Sequence, residues 1–474
     1  MGKVILMYPN CRWVDGWENK TIWNLHPYNL GVLSATLEDS FDTGIFDANI
    51  DNISKDDFYD FLKRENPDIV GISVLTNEYG ESGLIGARIA KLANPNIKTI
   101  IGGVHATSNP ESIITDSSVD YVVLGEGEYV LKDLCNHILH KKSIPSKGVV
   151  FKNINGEVVN TGMSNFIENL DALPLPSYDK VDFMKYATSV QRESVDRPRA
   201  MPYANILTSR GCPYQCCFCE AGKISGKKPR LRSIENVIGE IEWLKEKYHI
   251  NALIFDDDNL VIDKNRAKGL FKKMIQRKLN LKWNAIAMAA YKLDDEIIGL
   301  MKESGCEYVD IAIESGVKRV LHDIIHKPLD LDKAKNVSKS LMDAGIDLAA
   351  NFIVGFPGET WEEIRQTIKF AEELNADYTK IFIATPLPNT ELYEIAKKGG
   401  YLRKGFNFNK HLWSDGWIET EEFRPQDLKI LRAYEWDRLN FSNSAKREKI
   451  ADMMGITEDR LNEIRKETLN RANP

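Results

Sequence analysis

Residues 210–219 read Arg-Gly-Cys-Pro-Tyr-Gln-Cys-Cys-Phe-Cys, and this stretch holds four of the seven cysteines of the chain. Cys212, Cys216 and Cys219 have the spacing C-x3-C-x2-C. Thiolates are soft ligands that suit iron–sulfur clusters. Three thiolates around a cube-shaped four-iron cluster leave one iron without a protein ligand, and an open metal position can bind a substrate or cofactor. The spacing therefore predicts a cluster with one open iron.

Core packing, a zinc site and disulfide bonds fit the cysteine spacing less well. Positions i, i+4 and i+7 share one helix face, so the cysteines could be core residues, but Gly211 and Pro213 disfavour a helix there. A zinc site needs a fourth ligand, and the chain has no further C-x2-C pair. Seven cysteines in 474 residues, with four of them close together, make a poor disulfide framework.

The cysteine stretch resembles the cluster-binding loop of radical S-adenosylmethionine (SAM) enzymes. In that family the open iron chelates the amino and carboxylate groups of SAM, and one electron from the cluster cleaves SAM to methionine and a 5′-deoxyadenosyl radical. The resemblance implies that Cys212, Cys216 and Cys219 ligate the cluster. It also implies that Phe218, the aromatic residue before the third cysteine, lies against the adenine, and that Cys217 is not a ligand.

Composition and charge restrict the classes of function. The length of 474 residues predicts roughly two to four domains. The 62 basic and 69 acidic side chains give a net charge of −7, which argues against a general nucleic-acid surface. The N-terminal apolar run is too short for a signal peptide, and no run of about eighteen apolar residues predicts a transmembrane segment. Thiols and a labile cluster favour a reducing, cytoplasmic environment.

Residues 1–140 alternate between strand and helix patterns. The predicted strands are the apolar runs Lys3–Tyr8, Gly44–Asp47, Ile69–Val74, Thr99–Ile101 and Tyr121–Leu124. Because helix patterns separate them, the chain predicts an open parallel sheet of the doubly wound, Rossmann-like type. Ligands of such sheets lie beyond the carboxyl ends of the strands, so the residues that follow the strands are candidates for binding.

The spacing of these strand ends resembles that of cobalamin-binding domains, which carry D-x-H-x-x-G, then S-x-L, then G-G. Ser73-Val-Leu75 follows the third strand, and Gly102-Gly103 follows the fourth. The resemblance implies that Ser73 and Leu75 line the slot for the nucleotide tail of cobalamin. It also implies that the two glycines let the backbone approach that tail closely.

The first motif departs from the cobalamin pattern. Its positions read His26-Pro-Tyr-Asn-Leu-Gly31, so Tyr28 replaces the cobalt-ligating histidine. This agrees with a subset of radical enzymes whose cobalamin lacks a protein histidine ligand. The loops that contain His105 and Glu126 resemble those of cobalamin-associated radical enzymes. His105 has two interpretations: it is an alternative cobalt ligand, or it is a loop histidine that forms a hydrogen bond to the nucleotide tail or to the backbone. A flavodoxin-like sheet without a ligand is the alternative for the whole domain.

Two further segments complete the predicted core of the chain. Residues 141–200 predict a hairpin at Asn155-Gly156 and a proline-rich linker. Within residues 201–390, six apolar strands recur about every 30 residues with amphipathic helices between them. Such repeats close into a full or partial barrel of the TIM type, and the radical SAM resemblance implies a partial (β/α)6 barrel. The cysteine loop follows the first of these strands, where barrel active sites lie.

Polar and glycine-containing segments follow the later strands of the predicted barrel. The carboxylates of Asp256-Asp-Asp258 could bind a divalent metal or be solvated. The resemblance implies instead that at least one of these aspartates contacts SAM or cobalamin, and Asp257 is the candidate. Glu314 ends the fourth strand, and the glutamate of the family at this place binds the ribose hydroxyls of SAM. Asn351 and Gly355 belong to the fifth strand end, where glycine lets backbone approach the adenine; an ordinary strand-to-helix turn is the alternative.

The C-terminal residues 391–474 predict a charged, helical cap. No cysteine follows Cys306, which excludes the peptide-modifying enzymes that bind auxiliary clusters in this region. Residues 1–140 contain only Cys11 and Cys135, whereas a methylthiotransferase of similar layout needs three cysteines there. The predicted organisation is therefore a cobalamin-binding domain (1–140), a hairpin and linker (141–200), a radical SAM partial barrel (201–390) and a helical cap (391–474).

These patterns predict a cobalamin-dependent radical SAM enzyme with a [4Fe–4S] cluster, SAM and cobalamin as cofactors. The expected reaction removes hydrogen from an unactivated carbon of a small-molecule or peptide substrate, and methyl transfer from methylcobalamin is the favoured next step. Ferredoxin or flavodoxin is the expected electron donor, and no nucleic-acid partner is expected. The alternatives are radical cyclisation or rearrangement without methyl transfer, and a non-catalytic cobalamin or redox sensor.

Overall fold

The computed structural model describes residues 2–17, 26–189, 193–408 and 416–473. Two compact units divide between Tyr186 and Ala187. The first unit thus extends beyond residue 140, where the sequence predicted the end of a domain. Among the described residues, none of the helices combines the length and apolar character that a membrane crossing requires.

A seven-stranded sheet forms the centre of the first unit. In chain order its strands are β1 Lys3–Tyr8, β2 Asp42–Asp47, β3 Ile69–Ser73, β4 Lys98–Gly102, β5 Tyr121–Val123, β6 Val149–Lys152 and β7 Val158–Asn160. Their order across the sheet is β2-β1-β3-β4-β5-β6-β7; β1 to β5 are parallel, and β6 and β7 are antiparallel. The predicted hairpin is β6–β7, and it extends this sheet.

Helices cover both faces of this sheet. They are α1 Tyr28–Leu37, α2 Lys55–Glu65, α3 Gly80–Ala93, α4 Val104–Ser108, α5 Pro110–Ile114 and α6 Glu128–His140, and α7 Phe183–Ala187 follows in the connecting segment. Because side chains alternate along β1, Met7 joins one apolar core with α2 and α3, whereas Leu6 and Tyr8 join another with α1 and α6. Burial on both faces is typical of a doubly wound sheet.

A six-stranded parallel sheet forms the centre of the second unit. The strands of this unit are β8 Tyr203–Ile206, β9 Ser209–Arg210, β10 Arg230–Leu231, β11 Ala252–Phe255, β12 Lys282–Met288, β13 Cys306–Glu314, β14 Asp347–Val354 and β15 Tyr378–Ile383. The sheet order is β15-β14-β13-β12-β11-β8, and the short β9 and β10 pair antiparallel. The six parallel strands coincide with the six predicted apolar runs, so the predicted fold class is confirmed.

Helices alternate with these strands and cover the outer face of the sheet. They are α8 Ala221–Ile224, α9 Ile234–Tyr248, α10 Lys264–Gln276, α11 Asp295–Glu303, α12 Leu331–Asp343, α13 Trp361–Leu374 and α14 Glu391–Lys398, followed by the C-terminal α15 Pro425–Asn440, α16 Ser444–Met454 and α17 Glu458–Ala472. On the outer face, Phe271 of α10 stacks on Trp283 of β12 with ring centroids 5.2 Å apart. The predicted C-terminal helical segment is confirmed, and it shares an apolar cluster with Tyr308 and Ala349.

The opposite, inner face of the second sheet is polar and partly open to solvent. Lys380 of β15 reaches over β14 to Asp310 of β13, with 2.8 Å between Nζ and Oδ2. Asn351 of β14 lies beside Lys380 in register. Phe382, two residues further along β15, is 41% exposed. Since side chains of non-adjacent strands meet here, this is the concave side of a partial barrel, where ligands of barrel enzymes bind.

Candidate functional site

The cysteine loop leaves β9 through a turn that requires glycine. Gly211 has a φ of +97°, and a Cβ at this position would lie 2.7 Å from the Lys228 carbonyl oxygen. The next residue, Cys212, donates its main-chain N–H to the Gly226 carbonyl at 3.0 Å. The antiparallel pairing of β9 with β10 brings residues 226–230 beside the loop. The start of the cysteine loop is therefore fixed by backbone contacts.

The middle of the loop is held at Cys217. Its N–H donates to the Ile325 carbonyl at 3.0 Å, and its own carbonyl accepts from the Leu392 N–H at 2.9 Å. The Cys217 side chain is buried, with 2% exposure, whereas Cys212 and Cys216 are half-buried and Cys219 is exposed. The structure thus separates Cys217 from the three cysteines of the predicted triad.

The three remaining thiols have the properties of cluster ligands. Burial raises the pKa of the Cys216 thiol to about 11, so its thiolate needs a compensating cation. The Cys212 thiol is half-buried as well, and burial raises its pKa. In the described part of the chain, no three His, Cys, Asp or Glu side chains surround a single-ion site. Three accessible thiols at the C-x3-C-x2-C spacing are compatible with the predicted cluster.

Two side chains support the strand that enters the cysteine loop. The Asp257 carboxylate accepts from the Thr208 N–H and, at 2.8 Å, from the Thr208 hydroxyl, and it also accepts from the Ser209 hydroxyl. Arg266 donates to the Thr208 carbonyl at 3.0 Å. Asp257 is 4% exposed, and its burial raises the pKa of the carboxyl. The hydrogen bonds from Ser209 and Thr208 lower this pKa, but burial has the larger effect. In this structure Asp257 supports the loop, and its contact with SAM or cobalamin stays a prediction.

The side chains of the three consecutive aspartates after β11 have different surroundings. Asp256 is exposed and accepts from the Asn205 side-chain amide. Asp257 is buried against Thr208, and Asp258 accepts from the Gly211 N–H at 3.0 Å. All three residues follow the end of β11, and each has a different hydrogen-bond partner. The sequence did not assign Asp258 its role, since its partner is 47 residues away.

Glu314 ends β13 in a buried ion pair that the sequence did not predict. Its Oε1 lies 2.9 Å from Nζ of Lys327, and both side chains are 7% exposed. The backbone of Glu314 has a φ of +73°, which is strained for a residue with a side chain. The lysine carries no motif of its own, so no sequence signal identified it. Glu314 is placed at the strand end where the family resemblance put a ribose-binding glutamate.

The loop after β14 is organised by a second buried carboxylate. Glu359 is fully buried, and its Oε2 accepts from the N–H groups of Gly355 at 2.7 Å and Phe356 at 3.1 Å. Burial raises its pKa to about 7. The Phe356 ring lies 6.0 Å from that of Phe218, so this loop and the cysteine loop adjoin. Asn351 lies within β14 and faces inward, several residues before the loop.

In the first unit, the predicted cobalamin residues meet at the carboxyl ends of β3 and β4. Ser73 pairs with Gly102, and the Val74 N–H donates to the Gly102 carbonyl at 2.9 Å. Gly103 has a φ of +98°, and a Cβ there would lie 2.6 Å from the Val74 carbonyl oxygen. Leu75, Gly102 and Gly103 are partly accessible, as a ligand-binding edge requires. The glycines therefore permit a close strand approach that fits the S-x-L and G-G motifs.

The other predicted residues of this unit have distinct surroundings. Tyr28 is partly accessible at the start of α1, and His105 is fully buried with Nδ1 2.8 Å from Asn77 Oδ1. Glu126 accepts from the Ile167 N–H at 2.6 Å and so holds the segment after the hairpin. His105 has the surroundings of a core histidine. Cofactor contacts of Tyr28, His105 and Glu126 stay predictions.

Known families match both units of the chain. The model of the radical SAM superfamily matches residues 206–371, and the model of the B12 binding domain matches residues 23–135. An uncharacterized methyltransferase of Pyrococcus horikoshii is 32% identical over 86% of this chain and 86% of its own length. The chain belongs to the radical SAM superfamily and carries a B12-binding domain. The predicted family, the enzymatic class and the three cofactors, a [4Fe–4S] cluster, SAM and cobalamin, are confirmed.

Two further proteins are similar to this radical SAM enzyme. The cytidylyl-2-hydroxyethylphosphonate methyltransferase of Streptomyces wedmorensis is 29% identical over 80% of this chain and 79% of that protein. The solved structure of the radical SAM methyltransferase TsrM from Kitasatospora setae has a TM-score of 0.71 and 17% identity, and the match covers 100% of this chain and 99% of TsrM. The TsrM comparison shows that the fold is shared along the whole chain. A methyltransferase-like function follows from the family and the relatives.

Proposed function

We propose that this enzyme methylates an unactivated carbon of a small-molecule or peptide substrate. When bound, the cluster, SAM and cobalamin supply reductive SAM cleavage, hydrogen abstraction and methyl transfer. The observation that carries the proposal is the cysteine loop, in which Cys212, Cys216 and Cys219 are accessible while Cys217 is buried. A sensor without catalysis would not need the buried carboxylates at the ends of β13 and β14.

The residues around the cysteine loop have separate roles in this proposal. Cys212, Cys216 and Cys219 hold the cluster. Glu314 faces the ribose of SAM, and the Gly355 loop, held by Glu359, lies along the adenine with Phe218. Asp257 acts through Thr208 and Ser209 to fix the entry of the cysteine loop. The support for these roles is the shared end of the sheet, where strand carboxyl ends meet.

The substrate binds along the inner face in this proposal. Phe382 offers an aromatic surface that is 41% exposed on this face. Lys380 has its ammonium toward this face, and Asn351 has a buried Oδ1 with no hydrogen-bond partner among the described residues. These groups suit a substrate with apolar surface and a few hydrogen-bonding groups.

Cobalamin is held at the ends of β3 and β4 in the first unit. Ser73, Leu75, Gly102 and Gly103 receive its nucleotide tail, and Tyr28 stands where other cobalamin domains have the cobalt-ligating histidine. Were cobalamin bound there, Tyr28 would offer the cobalt no imidazole, and the cofactor would supply the methyl group. A ferredoxin or flavodoxin in a reducing cytoplasm supplies the electron.

The test uses anaerobically reconstituted full-length protein. We expect cube-type cluster absorbance and formation of 5′-deoxyadenosine with SAM and dithionite. With trideuteromethyl SAM, cobalamin and an extract of the native host, one product should gain the labelled methyl group. Cys216→Ala should abolish both signals, whereas the matched control Cys217→Ala should keep them. Full turnover by Cys216→Ala would overturn the proposal, and an unlabelled product of lower hydrogen content would indicate cyclisation.

A further inference from the structure

We propose that the residues after the cysteine loop form a docking surface for a small acidic electron-carrier protein of the ferredoxin or flavodoxin class, and that Lys223 and Lys227 contact the carboxylates of this partner. The inference rests on the proposed function, because it takes the cysteine loop as the place where the cluster receives its electron. It goes beyond that function by assigning a surface and two residues to the partner.

The segment that follows the cysteine loop has an unusual local charge. Residues 221–232, here called the basic segment, read Ala-Gly-Lys-Ile-Ser-Gly-Lys-Lys-Pro-Arg-Leu-Arg and contain five basic side chains and no acidic one. The whole chain has 62 basic and 69 acidic side chains and a net charge of −7. The excess of positive charge is therefore a property of this segment and not of the protein surface in general.

Burial divides the five basic side chains into two groups. Arg230 and Arg232 are buried and donate to main-chain carbonyls of the same unit. Lys223, Lys227 and Lys228 are exposed. Among the residues that the structure describes, no carboxylate lies within 4.0 Å of the ammonium of Lys223 or Lys227. The charges of these two lysines are therefore available to a partner with acidic side chains.

The basic segment packs directly against the first half of the cysteine loop. Its Gly226 carbonyl accepts the Cys212 N–H at 3.0 Å. Lys227 Nζ donates to Gln215 Oε1 at 3.1 Å, and Gln215 is an exposed residue inside the loop. A Cβ at Gly222 would lie 3.6 Å from Lys227 Cγ and 3.8 Å from the Cys212 carbonyl oxygen, so the stem of this lysine runs close to the loop backbone. A partner that binds the lysines would therefore also cover the exposed part of the cysteine loop.

The position of the basic segment favours an electron carrier as the occupant. In the proposed reaction one electron leaves the redox centre of the carrier, which is oxidised, and enters the bound cluster, which is reduced, and no bond forms or breaks between the two proteins. The carrier must come close to the cysteine loop for this transfer. Complementary charges accelerate such an encounter and orient the two proteins. The net charge of −7 argues against a nucleic acid as the occupant.

The experiment measures the dissociation constant of oxidised ferredoxin on the reconstituted full-length protein by isothermal titration calorimetry, and then that of flavodoxin. Lys223→Glu/Lys227→Glu should weaken binding of the carriers at least about tenfold at an ionic strength of about 0.01 M, where charges interact over about 30 Å. At about 0.1 M this range shortens to about 10 Å, so the difference from wild type should shrink. Lys223→Gln/Lys227→Gln should have a smaller effect, because it removes the charges without reversing them.

Lys247→Glu/Lys278→Glu is the matched control, since it changes the net charge by the same amount within the same unit. Both lysines are exposed, Lys247 at the end of α9 and Lys278 just after α10. These helices lead back to the starts of β11 and β12, whereas the cysteine loop follows the carboxyl end of β8. The control variant should therefore bind the carriers as the wild type does.

SAM cleavage provides a second readout. With prereduced ferredoxin at low concentration and no other reductant, Lys223→Glu/Lys227→Glu should form 5′-deoxyadenosine at least about tenfold more slowly than the wild type, in line with the weaker binding. With dithionite, a small reductant that needs no docking surface, the two proteins should cleave SAM equally. If Lys223→Glu/Lys227→Glu does not retain four irons, the comparison of Lys223→Gln/Lys227→Gln with the wild type decides.

Three results would overturn the inference: equal carrier affinities in the wild type and the lysine variants, an equal loss of affinity in the control variant, or no binding of either carrier to the wild type. Failure of the wild type to cleave SAM with dithionite would instead refute the proposed function. The two failures are distinguishable, because calorimetry with oxidised carriers does not depend on SAM cleavage.

Discussion

Gly103 gives a quantitative test of the strand-end site in the first unit. A Cβ at Gly103 would lie 2.6 Å from the oxygen and 2.9 Å from the carbonyl carbon of Val74. Both are main-chain atoms at the end of β3, so no side chain can turn away to make room. The φ of +98° is in addition a conformation that L side chains rarely adopt. Gly103→Ala must therefore displace the backbone between Ser73 and Leu75.

The expected magnitude has two parts. Backbone at φ +98° and ψ −169° costs an alanine about 1–3 kcal/mol, and an extra methyl group in a packed site costs about 1–3 kcal/mol. We expect Gly103→Ala to lower the free energy of unfolding of the first unit by about 2–6 kcal/mol in urea titrations followed by circular dichroism. The displaced backbone between Ser73 and Leu75 belongs to the proposed cobalamin site, so we expect cobalamin affinity in an absorbance titration to fall at least about tenfold, which corresponds to about 1.4 kcal/mol of binding free energy.

A second glycine supplies the matched control. Gly156, in the β6–β7 hairpin, has a φ of +80°, but a Cβ placed there would have no heavy atom within 4 Å. Gly156→Ala should lose about 1–2 kcal/mol through backbone strain alone and should bind cobalamin normally. The reasoning is refuted if the two variants lose equal free energy, or if Gly103→Ala binds cobalamin as the wild type does.

Three further predictions concern the second unit. Burial raises the pKa of Glu359 to about 7, so the native state binds the proton of this carboxyl more tightly than the unfolded chain does. The stability that results from this proton is lost as the pH rises through 7. In urea titrations, the wild type should therefore lose about 2–3 kcal/mol relative to Glu359→Gln between about pH 5 and pH 8. Asp257→Asn replaces the charged acceptor of Thr208 and Ser209 by a neutral amide oxygen that accepts more weakly. Iron content after reconstitution should therefore fall, and thermal unfolding should report a loss of about 1 kcal/mol. Phe382→Ala should lower the ratio of methylated product to 5′-deoxyadenosine about tenfold, because substrate loses an aromatic surface while SAM cleavage does not require it.

Each of these predictions has a contrary outcome. A constant stability difference between wild type and Glu359→Gln across this pH range would show that Glu359 titrates normally. Full iron content in Asp257→Asn would remove its role as a support of the cysteine loop. An unchanged ratio of methylated product to 5′-deoxyadenosine in Phe382→Ala would show that the substrate binds elsewhere. Phe61→Ala in the first unit is the control for a general loss of aromatic packing.

Some features of this protein depend on residues that are neighbours in the chain. The triad Cys212, Cys216 and Cys219 falls within eight residues, so the spacing alone predicts a shared ligand. The strands and helices of both units follow from the period of apolar residues, because burial on one or two faces imposes that period. The fold class and the strand-end positions of Ser73, Gly102 and Glu314 were therefore predictable.

Other features arise only when distant segments pack together. The hairpin at Asn155-Gly156 was predicted, but its membership of the first sheet depends on pairing with β5. The separate surroundings of Asp257 and Asp258 depend on partners 49 and 47 residues away in the chain.

The sequence by itself predicted the cysteine triad and the two α/β units, since these depend on local spacing and periodicity, and the resemblance of its motifs to known families indicated the cofactors. Tertiary structure alone decided that Cys217 is buried, that Glu359 holds the Gly355 loop, and that Lys327 meets Glu314 inside the second unit. The physical reason is that burial and charge pairing depend on which segments exclude water together. The sequence does not show whether a given lysine and glutamate form a buried ion pair or are each surrounded by water.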